Sequence, residues 1–440
     1  MAVAHTGLAP ARTTLPNGVV VLAKETRKTP AVAVNLAVKA GSICDPTDSL
    51  GAMHLLSRVI DRGTTTRSAS DIADQLDGCG VSLTTNVTRD LFSVACTCLT
   101  EDFEGILGLL GDILTSPRVP ETELAIRKGE VVTGLRQDED NPAVRAVEGL
   151  MALLYGPDHP YGHRAKGTVQ SLEGMTRDGL LRLHARRFAP TQLMAVVVGD
   201  VEPSRAVDVA ARVFGDWRAL EPEPVPVPHA APATERRVVV VPMMNKAQAN
   251  VAYGFTTIER ADASYYGFSL LNNALGQYAL GGRLGESIRE RQGLAYDVSS
   301  TFNANVVEGP LTIHAGVSAS NVNRTVQSID HEIERLRANG LTEQELTESR
   351  QYMVGSLPRA LETNTLIAQF LQTAEFFGLG LDHDRRLPDF LGAVTLDEVH
   401  GLAERYLDPR RASIVVAGPC AGSSIETAAP STPAPKHPST

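Results

Sequence analysis

Glu221-Pro222-Glu223-Pro224-Val225-Pro226-Val227-Pro228 breaks the chain in two. A proline at every second position removes backbone donors and holds the main chain extended, and Ala/Pro-rich sequence follows, so residues 218–236 read as a semi-rigid linker. The same order of elements lies on either side of it. An apolar strand opens each half, Ala31 to Val38 and Asn250 to Phe255, and another closes it, Leu193 to Val198 and Ser413 to Val416, both running into glycine. In the first half the alternating Phe92-x-Val94-x-Cys96-x-Cys98 leads into an i, i+3, i+4, i+7 stripe of Phe103, Ile106, Leu107, Leu110, Ile113 and Leu114, stopped by Ser116-Pro117. In the second, Leu311 to Val317 leads into Val326, Ile329, Ile333 and Leu336. Asn339-Gly340 ends that helix as a C-cap, and Thr342-x-x-Glu345 opens the next as a capping box. The repeated order predicts an internal duplication.

Strands grouped with long helices, without strict β-α alternation, predict an α+β fold of two homologous domains, each a mostly antiparallel sheet packed by helices. The expected divisions are a flexible N-terminus over 1–12, domains over 13–217 and 237–418, and a disordered Pro-rich tail over 419–440. With 43% hydrophobic and 21% charged residues in 440, there is enough apolar material for two cores. The net charge of −10 leaves no basic footprint for nucleic acid or anionic lipid. Met1 to Pro16 has no basic region leading into an apolar core, and no apolar run reaches the roughly 18 residues of a membrane span, so a cytoplasmic chain without a membrane partner is expected. Five cysteines (Cys44, Cys79, Cys96, Cys98, Cys420) at irregular spacing fit reduced thiols, with Cys96 and Cys98 packed on one strand face.

A second stretch, Gly51-Ala52-Met53-His54-Leu55-Leu56-Ser57-Arg58-Val59-Ile60-Asp61-Arg62-Gly63-Thr64, bears on chemistry. An H-x-x-E-H helix places two imidazoles on one face to bind zinc, with a glutamate between them as general base. This stretch resembles that helix in the insulinase/pitrilysin (inverzincin) metallopeptidase family, with Ser57 in the glutamate's place and Arg58 in the second histidine's. Further landmarks follow in order from about Thr13 to Gly418: Leu15-Pro16-Asn17-Gly18, Ala40-Gly41-Ser42, His159-Pro160-Tyr161-Gly162, Gly199-Asp200 and Arg283-Leu284. Together they are similar to the processing-peptidase-like branch, whose subunits pair.

The resemblance implies a third zinc ligand on a helix before Asp140-Asn141-Pro142, and counting back places it at Gly134. Glu130 and Asp138 lie one turn to either side, about 5 Å along the axis, which a metal–ligand bond near 2 Å does not tolerate. Arg58 opposes a cation by on the order of 4 kcal/mol per unit charge at about 4 Å and an effective dielectric of about 20. Ser57 supplies no base for water. No metal and no catalysis are expected of this chain alone. His159 and His163 have i, i+4 spacing, but Pro160 and Gly162 between them oppose a helix.

Arg289-Glu290-Arg291-Gln292-Gly293-Leu294-Ala295-Tyr296 keeps the family's Arg/Tyr pair, which in relatives donates hydrogen bonds to the substrate carbonyl oxygen. The bland alternative is a surface arginine and a core tyrosine. In the first half, Ala73 and Gly80 align opposite Arg289 and Tyr296. The resemblance therefore implies a non-catalytic, substrate-binding subunit of a heterodimeric zinc metallopeptidase, with unfolded peptides as substrate and zinc in a homologous partner. Two rivals stand beside it: a scaffold without a peptidase role, and a self-sufficient metallopeptidase with ligands such as His54 and Glu130.

Overall fold

Along Phe92–Leu99 the fully buried side chains fall at every second residue, whereas Ala31–Val38 and Leu193–Gly199 are buried at nearly every position. A strand of the second kind needs cover on both faces of its sheet. The computed structural model describes residues 7–277 and 282–420. In it β1 (Ala11–Thr14), β2 (Val20–Glu25), β3 (Ala31–Val38), β4 (Thr84–Val87), β5 (Phe92–Leu99) and β6 (Leu193–Gly199) form one sheet in the order β1-β2-β6-β3-β5-β4. A second sheet joins β7 (Arg237–Pro242), β8 (Ala249–Thr256), β9 (Ala295–Phe302), β10 (Pro310–Val317) and β11 (Ser413–Gly418) in the order β7-β11-β8-β10-β9.

In both sheets the last strand lies parallel to an early one, β6 along the second strand β2 and β11 along the first strand β7, and the remaining pairings are antiparallel. The paths of β2 to β6 and β7 to β11 are thus the same, as the repeated sequence order requires. Among the described strands β1 has no counterpart in the second sheet. The expected helix ends are present: Gly340 stands at φ 65 with its N–H on Leu336 O, and Thr342 and Glu345 exchange side-chain to backbone bonds of 3.2 and 2.7 Å. Arg283, one of the landmarks, bonds both Gly340 O and Glu345, so its role here is to hold two helix termini together.

The chain forms two compact units, and neither is continuous in sequence. One takes the residues up to Gln137 with His163–Val227 and Met353–Pro388; the other takes Asp138–Gly162, Pro228–Tyr352 and the chain from Asp389. This departs from the expected continuous domains over 13–217 and 237–418, and burial gives the reason. In the first unit, helices including Phe103–Thr115 and Pro203–Phe214 cover one face through Leu107, Leu110, Val209 and Phe214. The other face of β2 and β6 is closed by helix Asn364–Phe376, whose Ile367 and Leu371 pack with Leu22, Val196 and Val198. In the second unit, helix Pro142–Tyr155 lays Ala146, Leu150 and Leu154 on Ala252, Val415 and Ala417.

The linker is shared, residues up to Val227 going with one unit and Pro228 onward with the other. Of the segment expected to be flexible, residues 1–6 lie outside the described residues. Leu8 is buried with its N–H on Asp384 Oδ2 at 2.8 Å, and Arg12 pairs with Glu375 at 2.8 Å. Residues 421–440 of the expected tail also lie outside. Among the described residues no helix is long and apolar enough to cross a membrane. Leu371, with no exposed surface, is a direct measure of the covering helix. Leu371→Ala should cost about 2–5 kcal/mol, read as a lower urea midpoint at unchanged slope; a loss under about 1 kcal/mol would mean that this helix is not part of the cooperative core.

Candidate functional site

The helix carrying His54 runs from Ala52 to Val59 and starts at Gly51, whose φ of 90 favours glycine; a Cβ there would also meet Lys166 O at 2.4 Å. Asp45 completes the start. Its Oδ2 accepts from Gly51 N and its Oδ1 from Met53 N, each at 2.8 Å, satisfying two of the donors that a helix N-terminus leaves open. Burial outweighs these bonds and pushes the Asp45 carboxyl up to about 7. Sequence reading missed this residue because it caps from six positions before Gly51, where no periodic signal reaches.

His54 is half-buried on this helix. Ser57 is buried, and its hydroxyl donates to His54 O at 2.7 Å instead of projecting outward. Thr85 on β4 donates to Ser57 O at 2.8 Å and fastens the helix to the sheet. Arg58 is exposed, with Nη2 3.9 Å from Glu130 Oε2 on helix Glu121–Glu139. Arg127 from the same helix donates to Glu130 at 2.6 Å. The Glu130 carboxyl is held below its usual value, first by the Arg127 hydrogen bond and then by the charges of Arg127, Arg58 and Arg62. Gly134 lies one turn further along that helix, and a Cβ added there would meet nothing within 4 Å.

Other candidates resolve into packing. His159 places Nε2 2.8 Å from Pro228 O and accepts from Tyr161 N on Nδ1, so its Nε2–H is the donor and both ring nitrogens are used. A 3-10 turn, Pro160–Gly162, separates it from His163. Cys96 and Cys98 lie in the core, and burial pushes each thiol up to about 12. Among the described residues no group of three or more His, Cys, Asp or Glu is arranged to hold a metal ion.

In the other unit Arg289 sits in a π-helical segment, Gly285–Arg291, and pairs with the exposed Glu290 at 2.7 Å. Gly293 at φ 60 ends the segment, with Leu294 N bonded to Ile288 O. The chain then enters β9, an edge strand, where Val317 pairs with Ala295 and Gly316 with Asp297. Tyr296 is skipped. It is the extra residue of a β-bulge, and 90% of its surface is exposed. A bulge re-aims a side chain, and this one turns the phenol to solvent.

Comparison with known proteins adds the following. A family model described as "Insulinase (Peptidase family M16)" matches residues 20–156, and one described as "Peptidase M16 inactive domain" matches 174–353. An "Uncharacterized zinc protease" of Streptomyces coelicolor is 27% identical, over 93% of this chain and 89% of its own length. The Bacillus subtilis protein of the same description is 27% identical over 90% of this chain and 95% of its length. A solved "peptidase M16 inactive domain" from Pseudomonas fluorescens superposes with a TM-score of 0.85 at 26% identity, covering 94% of this chain and 98% of that one. A protease from Helicobacter pylori shares the fold, with a TM-score of 0.85 at 17% identity over 93% and 99% of the two chains.

Asp45 makes a pH test possible. Its folded pKa near 7 lies above the ordinary value, so its contribution is fully present below about pH 4 and is lost as pH rises through about 7. The stability of the natural chain relative to Asp45→Asn should therefore fall between those values, by on the order of 4 kcal/mol. Urea titrations at several pH values decide this, and parallel curves would show that Asp45 does not titrate in that window.

Proposed function

The chain belongs to the insulinase (M16) peptidase family, and from that premise we propose that it is the non-catalytic, substrate-binding subunit of a two-chain zinc peptidase acting on unfolded peptides. The observation that carries this reading is Tyr296, a phenol exposed over 90% of its surface on a bulged edge strand. A tyrosine kept for packing would be buried. Its hydroxyl and the Arg289 guanidinium are both donors, suited to a peptide carbonyl oxygen on which negative charge develops. Among the partners of Arg289 is the exposed Glu290, 2.7 Å away, and an ion pair open to solvent on one side is weak enough to be exchanged for a ligand.

The residues around His54 do not fit a zinc ion. Ser57 spends its hydroxyl on its own helix, Gly134 offers no ligand, and Glu130 is already engaged by two guanidinium groups. This weighs against a self-sufficient metallopeptidase built on His54 and Glu130. Zinc held by a homologous partner would supply the activated water, and this chain would hold the peptide and the developing oxyanion. The relatives named zinc proteases are consistent with such chemistry in the family. A purely scaffolding role leaves the exposure of Tyr296 without a use.

Purified alone, the chain should carry no stoichiometric zinc and cleave no peptide; close to one zinc per chain by metal analysis would refute this. Ser57→Glu, Arg58→His and Gly134→Glu together should restore metal binding, since the space at Gly134 is open, while each single change should fail.

In a complex reconstituted with a zinc-bearing homologue from the same source, Tyr296→Phe should lower kcat by about 10²-fold to 10³-fold, with zinc content and assembly unchanged. Arg289→Ala should cost at least as much, because a charge is removed with the donor. Full turnover from the double variant would assign the pair a structural role and favour the scaffold reading.

A further inference from the structure

The two halves repeat short words of sequence as well as elements. Leu55-Leu56-Ser57-Arg58, on the helix that follows β3, matches Leu270-Leu271-Asn272-Asn273, where helix Tyr265–Asn272 follows β8. Glu121-Thr122-Glu123-Leu124 matches Glu343-Gln344-Glu345-Leu346, each opening the second α-helix after β5 or β10. Carried along these helices, the match sets Asn273 in the place of Arg58, Ser349 in that of Arg127 and Tyr352 in that of Glu130. In the first half the three residues close on one another, Arg127 donating to Glu130 at 2.6 Å and Arg58 lying 3.9 Å from it. In the second half their counterparts all line a cavity of about 410 Å³. That size is within the range of small-ligand sites, about 300–1,000 Å³.

Asn273 is 3% exposed and Ser349 4%. Neither side chain hydrogen-bonds a described residue, and the polar atoms of both keep some surface, which lies in the cavity they line. Buried polar groups without partners are costly, so two of them on one space call for a ligand that satisfies both. The charged groups of the wall differ in how far they are answered. Arg283 is closed on Glu345, and Glu286 is paired with Arg291. Glu348 accepts from Gln344 Nε2 at 2.8 Å and forms no ion pair with a described residue. One carboxylate is left over.

We propose that this cavity binds a guanidinium group, the group that fills the corresponding place in the first half. Asn273 Oδ1 and Ser349 Oγ are acceptors for its N–H donors, Glu348 answers its charge, and the Tyr352 ring offers a face to its plane. A carboxylate or phosphate would meet Glu348 and Glu286 as like charges, with Arg283 already engaged. An uncharged amide would leave Glu348 without a counter-charge. Two kinds of molecule present a guanidinium, an arginine in a bound peptide and a free arginine derivative, and the test separates them.

The experiment is calorimetric titration of the purified full chain with Nα-acetyl-arginine methylamide, with its citrulline counterpart, and with Gly/Ala decapeptides carrying one central arginine or citrulline. Citrulline keeps the shape and removes the charge. Arginine should bind about tenfold more tightly than citrulline. A decapeptide that binds well above the blocked amino acid assigns the site to a peptide side chain; equal affinity assigns it to a free guanidinium compound. Glu348→Gln, at an exposed position, should remove most of the preference for arginine, and Ser349→Arg, which restores the residue of the first half, should abolish binding with the urea midpoint as a check on folding. Equal affinity for arginine and citrulline, absence of binding by every probe, or an unchanged preference in Glu348→Gln would overturn the site. Each of these results leaves the Arg289 and Tyr296 reading to be judged on turnover by the reconstituted complex.

Discussion

Everything in this architecture follows from the burial of β6 and β11. Each is buried at every position and sits between a parallel and an antiparallel neighbour, so both of its faces must leave water. Helices from the same half of the sequence close one face only. The other is closed by a helix from the opposite half, Asn364–Phe376 over β6 and Pro142–Tyr155 over β11. Duplication of the sequence therefore does not produce two self-sufficient domains. It produces two sheets, each dependent on a distant segment for half of its cover.

Electrostatics at the two candidate regions point in opposite directions. Around His54 the negative charge of Glu130 is answered by side chains of the chain itself, Arg127 and Arg58, leaving little field to attract a cation. At the edge of the second sheet the Tyr296 phenol faces outward, 90% exposed, beside an Arg289 that pairs with Glu290.

Much of this was legible in the sequence. The full-length strands Ala31–Val38 and Leu193–Gly199, the capping box at Thr342 and the glycine end at Gly340 follow from period and local chemistry, and the structure has them within a residue. The order of elements in each half gave the common path of the two sheets. What local pattern does not carry is long-range cover. Nothing in the stripe Ala146, Leu150, Leu154 says which sheet it will meet, so Pro142–Tyr155 reads as part of the half in which it is written. The bulge at Tyr296 was equally hidden, since it depends on the register against Gly316 and Val317. Asp45 acts through a loop and leaves no periodic trace. The identities of Ser57, Arg58 and Gly134 were plain, whereas the pairing of Arg58 with Glu130 required two helices to be placed.

The exchange of segments also has a consequence for synthesis. When the ribosome has made the chain as far as the linker, β2, β3 and β6 are all present, but the helix that covers them is still about 140 residues away. At typical elongation rates of about 5–20 residues per second, the apolar face stays open for several seconds or more. Contacts of such sequence separation also slow folding itself. The nascent first half is thus an aggregation-prone intermediate by construction, a natural client for a holding chaperone until Asn364–Phe376 emerges.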